Sequence, residues 1–232
     1  MALATFKDLC LDAADPTALG AFWGAVLGLD PQPCPPDSNG DVRLLGPTPA
    51  HTIWVNRVPE PKTVKHRVHL DVNVGSVEEL TRLGATVLDD SFRWTVMADP
   101  EGGEFCAFVR EGEITQRLYE IGVDTGDSAE DSHRLAAWWA DLLGARLVDD
   151  ERGFSWVEGI PGAPFESLDF APVPEPKTVK NRIHPDVTTP NLDALVAHGA
   201  TVLRPRDDRI DWTVLADPAG NEFCAFEEDD RG

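Results

Sequence analysis

Apolar residues change period along this chain in a repeating order. Val68, Leu70, Val72 and Val74 alternate with polar neighbours, which predicts a half-buried strand over 67–74. Leu19, Phe22, Trp23, Val26 and Leu27 recur at helical spacing. Asp15-Pro16 before them supplies a cap and a first-turn proline, and Gly28 supplies the stop. Strand patterns also fall at 6–12, 42–45, 52–58, 85–88, 94–98 and 104–109, with the turn residues Asp99 to Gly103 joining the last two as a hairpin. Between them Ser76 and Glu79 have the spacing of a capping box ahead of Val77, Leu80 and Leu83. The order strand, helix, strands therefore occurs twice before residue 112.

It then occurs twice more. PEPKTVKHRVHLDV from Pro59 returns as PEPKTVKNRIHPDV from Pro174 with 11 of 14 positions identical, and WTVMADPEGGEFCAF from Trp94 returns as WTVLADPAGNEFCAF from Trp212 with 12 of 15. Such strings in the same order mark a tandem duplication. Leu135, Trp138, Trp139, Leu142 and Leu143 repeat the first helical stripe, and Thr189-Pro190 reads as the start of the last helix. The expected division is 1–112, with units of about 1–60 and 64–112, and 113–232, with units of about 113–175 and 179–232.

One helix covers only one face of so small a sheet, so two units are expected to curl their open faces around a shared cup, one cup in each half. Strand parity sorts the side chains. With the valines of 67–74 facing the helix, Arg67, His69 and Asp71 face the cup. The same parity turns Asp8, Cys10 and Asp12 inward, and likewise Glu120, Gly122 and Asp124. Glu104 and Glu222 follow the hairpin turns at matching positions, with Cys106 and Cys224 two residues on. Trp54 falls on the cavity side, and Asp169 takes its place in the second half, so that the second cup is expected to collect Glu120, Asp169, Asp186 and Glu222.

Composition narrows the partners. The 232 residues carry 20 Lys+Arg against 41 Asp+Glu, a formal net charge of −21 that repels nucleic acid and anionic membrane surfaces. No apolar run is long enough to span a membrane, and the first residues lack a secretory pattern, so a cytoplasmic protein is expected. Cys10, Cys34, Cys106 and Cys224 are too widely spaced for a disulfide framework and read as free, mostly buried thiols. No phosphate-binding glycine loop or nucleophile elbow is present.

The strings DAADPTALGAFWGAVLG from Asp12, HRVHLDVNV from His66 and ADPEGGEFCAF from Ala98, with their second copies, resemble the glyoxalase-like group of the vicinal-oxygen-chelate superfamily. That resemblance implies an α+β fold of four βαβββ units paired into two glyoxalase-like domains, with mixed curved sheets forming a cup in each. It also implies a divalent metal held on the first and last strands of paired units. His69 and Glu104 match the ligand positions of the second unit, and His184 and Glu222 those of the fourth. The partner first-strand positions are Asp8 and Glu120, and the last-strand positions are Thr52 and Ser167, so the full His/Glu quartet is missing.

Two candidate metal sets follow, Asp8, His69 and Glu104, and Glu120, His184 and Glu222, with Glu104 as a ligand or base. The absence of any cofactor fits the sequence equally. Pro185 inside its strand favours the first half as the working one. Arg67, Asp71, Trp54, Arg182, Asp169 and Asp186 are the candidate ligand-binding residues, the arginines serving either a ligand or an internal ion pair. The lysines at 62, 65, 177 and 180 either receive an anionic substrate or, the reading favoured, are solvated linker residues paired with Glu60 and Glu175.

The function expected is small-molecule binding, with metal-assisted lyase, isomerase or dioxygenase chemistry on an oxygen-bearing substrate. The rivals are a non-catalytic protein that sequesters a cationic ligand, and a module whose cups are filled by side chains. A monomer fits, since one chain already supplies four units.

Overall fold

The computed structural model describes residues 2–228. All four units have the same βαβββ order. The first holds β1 (Thr5–Ala13), α1 (Pro16–Leu27), β2 (Asp30–Pro33), β3 (Val42–Leu45) and β4 (Ile53–Arg57). The second holds β5 (Val68–Val74), α2 (Val77–Arg82), β6 (Thr86–Asp89), β7 (Thr95–Ala98) and β8 (Glu104–Val109). The third holds β9 (Leu118–Asp124), α3 (Ala129–Leu143), β10 (Arg146–Asp149), β11 (Ser155–Glu158) and β12 (Ser167–Ala171). The fourth holds β13 (Ile183–Thr189), α4 (Leu192–Ala197), β14 (Thr201–Arg204), β15 (Thr213–Ala216) and β16 (Glu222–Glu227).

Local chemistry explains the ends of these elements. Asp15 Oδ1 accepts from the amides of Thr17 and Ala18, Pro16 opens α1, and Gly28 closes it at φ 69°, a left-handed angle that glycine adopts without strain. Two expected starts differ. Ser76 precedes α2 but its hydroxyl makes no capping bond, so the box is not formed. The last helix begins after Asn191, whose side chain accepts from Ala194 N, because Pro190 falls outside it. The hairpin turns are held by Asp99 and Asp217. Asp99 Oδ1 accepts from Glu101 N at 2.9 Å and Gly103 N at 2.8 Å.

The units pair in a way that corrects one expectation. The first sheet has the order β14-β15-β16-β13-β1-β4-β3-β2, and the second β10-β11-β12-β9-β5-β8-β7-β6. Each sheet thus takes one unit from each half of the sequence, the first joining units one and four and the second joining units two and three. The seams are antiparallel, β1 with β13 and β5 with β9. Neither half closes a cup by itself. Within a half, the two units meet through helix and sheet instead: Trp23 of α1 packs edge-on to Phe105 of β8 at 5.2 Å between centroids, and Trp139 of α3 on Phe223 of β16 at 5.3 Å. Both tryptophans reach the turn carboxylates, Nε1 donating to Asp99 at 3.4 Å and to Asp217 at 3.2 Å. The four units share one buried core from Ala4 to Ala225. Burial of the helix aromatics therefore ties together the two units of each half, while backbone pairing ties together units from opposite halves.

Pro185 does not mark an edge. It lies opposite Leu9 in the central seam of the first sheet.

Candidate functional site

The floor of each cup is the inward face of its central seam. In the second sheet Asp71 lies opposite Glu120 and His69 opposite Gly122, while Asp71 neighbours Cys106 on β8 and Gly122 neighbours Asp169 on β12. The approximate two-fold between units therefore equates His69 with Glu120 and Cys106 with Asp169. In the first sheet the same places are held by His184 and Asp8, and by Cys224 and Trp54.

Above the second floor is a cavity of about 780 Å³. Its floor residues include His69, Asp71, Cys106, Glu120 and Asp169. One wall is a run of aromatic rings: Phe92 stacks on Trp94 at 5.2 Å, Trp94 on Phe108 at 5.8 Å, and Phe108 meets Tyr119 at 5.0 Å. Arg110 lies 4.6 Å over Tyr119. Trp156 and Phe154 of the third unit also line the cavity.

His69 occupies this floor because position 122 is glycine. A Cβ there would sit 2.2 Å from the imidazole Cε1. Its Nδ1 is 2.6 Å from Asp71 Oδ1. Burial alone would lower the imidazole pKa, but Asp71 outweighs it and raises the pKa to about 9. Glu120 is pushed up to about 8 by burial and then by Asp71 and Asp169, although Ser167 Oγ donates to it at 3.0 Å. Asp169 is pushed up to about 7 by burial and by Asp71. Burial raises the Cys106 thiol as well. Three carboxyls thus crowd one imidazolium in a half-dry site, and the excess negative charge is relieved either by protons or by a bound cation.

The donor set fits a divalent ion. Imidazole, thiol and carboxylate are zinc-type ligands, and ligand atoms of His69, Asp71 and Cys106 all lie within 4.8 Å of one another. In the first sheet Cys10, His184 and Asp186 also lie within 4.8 Å. There, however, Trp54 stands where Asp169 stands in the second, and its Nε1 donates to Asp8 Oδ2 at 3.1 Å. Lys7 Nζ takes the same oxygen at 2.6 Å and lies 4.2 Å over Phe226. Side chains fill that floor. Asp8 is still raised to about 6, by burial and by Asp186.

Several expected groupings are not brought together. Asp8 and His69 lie in different sheets, as do Glu120 and His184. Asp186 lies with Asp8, while Glu120 and Asp169 lie in the other sheet. Thr52 precedes β4, and Ser167 serves Glu120 as a donor.

Glu104 and Glu222 hold the repeated loops. Glu104 accepts from Lys62 Nζ at 2.8 Å and His66 N at 3.0 Å, and Glu222 from Lys177 Nζ at 2.9 Å and Asn181 N at 3.0 Å. Although burial works against it, the Lys62 bond keeps Glu104 below the usual carboxylate range. The residue two further along each strand, Cys106 or Cys224, is the one on the floor. Rather than with Glu60 and Glu175, Lys62 and Lys177 pair with Glu104 and Glu222, while Lys65 and Lys180 bond Asp124 and Asp12 at 2.5 Å and stay half exposed. Arg182 faces Glu101 at 3.4 Å and Arg67 faces Asp124 at 3.4 Å, both at the junction between the sheets. Trp54 packs in the first cup under Arg43, 5.5 Å away.

Cys106 reads from the sequence only as a free, buried thiol, and its inward parity is the signal that puts it on the floor. The aromatic wall was missed, and its signal was Trp94 and Phe108 on adjacent strands of one hairpin. The free thiols are as expected, with Cys10, Cys106 and Cys224 buried.

Two curved sheets of paired βαβββ units, each with a polar floor at its seam, define a glyoxalase-type architecture. The chain belongs to the Glyoxalase-like domain family, whose model matches it twice, at residues 8–108 and 120–226. Among solved structures it is similar to glyoxalase I from Zea mays, at 13% identity and TM-score 0.68, covering 97% of this chain and 92% of that one. It is also similar to a candidate dioxygenase from Bacillus subtilis, at 14% identity and TM-score 0.67, covering 98% and 86%. No curated protein matches the chain. Among the described residues no helix is long and apolar enough to cross a membrane.

Proposed function

We propose that the protein binds a small organic molecule in the cup of the second sheet and acts on it with a divalent cation held by His69, Cys106, Glu120 and Asp169. The observation that carries this reading is the crowding of Asp71, Glu120 and Asp169 on one floor, which raises the pKa of Glu120 to about 8 and of Asp169 to about 7. A bound cation supplies Lewis-acid polarisation of a substrate carbonyl or hydroxyl oxygen.

The chain's own residues supply the rest. Asp71 fixes the His69 ring through Nδ1. Glu120, which Ser167 orients, is the carboxylate that would accept a substrate proton, as a lyase or isomerase base must, when it is not ligating the cation. Phe92, Trp94, Phe108 and Tyr119 offer a flat apolar wall that stacks a planar substrate and excludes water. Glu104, engaged by Lys62 and His66, is a positioning residue rather than the base.

A second reading has its own support. Aromatic rings above an acidic floor also suit an organic cation, which would make the cup a sequestering one.

Cobalt(II) titration separates the two. Metal-assisted chemistry predicts one cobalt per chain, d–d bands with a thiolate charge-transfer band, and loss of that band in Cys106→Ser. Saturable binding of an aromatic quaternary ammonium, with no cobalt spectrum, would leave only the sequestering reading.

A further inference from the structure

The two PEPKTVK loops face each other where the sheets meet, around a second cavity of about 250 Å³. Lys62, Lys65, Arg67, Lys180 and Arg182 line it, against Asp12 and Glu60. In a chain of net charge −21 this is a concentration of the minority sign. The lysines are already engaged, Lys62 by Glu104, Lys65 by Asp124 and Lys180 by Asp12. The arginines differ from one another, and the repeat explains why.

Arg182 has an internal acid. Glu101 Oε2 lies 3.4 Å from its Nη2, and the same carboxylate accepts from the amides of Ala14 at 2.9 Å and Asp15 at 2.7 Å. Arg67 is the counterpart of Arg182, and the counterpart of Glu101 is Ala219, since ADPEGGEF aligns with ADPAGNEF. The acid is therefore deleted on one side of the approximate two-fold. Gly126 and Asp127, which follow Asp124 as Ala14 and Asp15 follow Asp12, correspondingly have no carboxylate from position 219.

Arg67 is only 7% exposed. Its Nη2 donates to Thr125 O at 2.9 Å, but Nε and Nη1 make no hydrogen bond among the described residues. Asp124 Oδ2, 3.4 Å from Nη1, is taken at 2.5 Å by Lys65. The neighbouring His66 also has both ring nitrogens buried and unbonded. Its counterpart Asn181 bonds Asn221, whereas His66 meets Gly103, which has no side chain to offer. Buried guanidinium donors without acceptors are costly, and a planar fork of this kind matches two oxygens of one oxyanion.

We propose that this junction is a binding site for a small oxyanion, a carboxylate or a phosphate, held by Arg67 in the role that Glu101 plays for Arg182. The site adjoins the cup, with Lys65 lining both cavities, but the proposal does not depend on the function assigned to the cup.

Calorimetric titration of the full chain at fixed ionic strength, with inorganic phosphate in one arm and acetate in the other, tests the proposal and distinguishes the two chemistries. The expected result is one saturable site per chain for at least one probe, weakened at least about tenfold in Arg67→Met and in Ala219→Glu. The second variant adds its carboxylate at an exposed turn position, so it keeps the test valid should Arg67→Met fail to fold. Saturable binding should persist in Glu120→Gln, which alters only the cup. Absence of saturable binding of either probe, or binding that Ala219→Glu leaves unchanged, would overturn the proposal.

Discussion

At the scale of single residues, the cup is set by which side chain a strand position can tolerate. Gly122 leaves room for the His69 ring, so Gly122→Ala should push the imidazole off Asp71 and destabilise the protein by about 1–3 kcal/mol. It should also lower cation affinity, and an unchanged His69 proton resonance with unchanged stability would count against that packing. Glu120 predicts a pH effect with a definite sign. Its pKa is raised from 4.5 to about 8 on folding, so the folded state binds the extra proton between those values. Its contribution to stability is full below about pH 4.5 and is lost as pH rises through 8. Glu120→Gln should flatten that decline, read from denaturant midpoints between pH 5 and 9 without divalent cations. His69, Glu120, Asp71 and Asp169 were legible in sequence because strand parity alone exposes them. Parity cannot rank Glu104 against Cys106, which face the same way two residues apart; the difference is that Glu104 meets Lys62 and the His66 amide, contacts made by a loop 38 or more residues away in sequence.

At the scale of elements, most starts and stops are local and were readable, as with Asp15, Pro16 and Gly28 around α1. Ser76 shows the limit, since the spacing of a capping box does not oblige the hydroxyl to bond. The repeated loops are the elements whose role was least visible. Their charged residues suggest solvent, yet each is clamped by a glutamate at the start of a last strand. Glu104→Ala should therefore cost about 1–3 kcal/mol through the unsatisfied His66 amide and the released Lys62. Amide exchange over 59–67 should rise with it, and protection equal to the parent would show that the clamp does nothing.

At the scale of the whole molecule, four similar units make the count of units easy to read and their partnership hard. Any first strand of a unit offers the same backbone edge, so the sequence does not say whether β5 pairs with β1 or with β9. The choice falls to packing between the helices and the neighbouring sheet, where Trp23 meets Phe105 and Trp139 meets Phe223. Because both sheets draw on both halves, cutting an inserted protease site at 111–113, which is exposed, should leave the halves associated at 25.3 kDa on gel filtration. Separation into half-size pieces would contradict the crossed pairing. The same crossing makes the two cups unequal, one filled by Trp54 and Lys7 and the other open with Asp169 at the matching place. That the open cup is the working one and takes a cation can be tested by anomalous scattering from crystals soaked in cobalt(II). A single peak among His69, Cys106, Glu120 and Asp169 is predicted; a peak beside Asp8, His184 and Asp186 instead, or none in either cup, would contradict it.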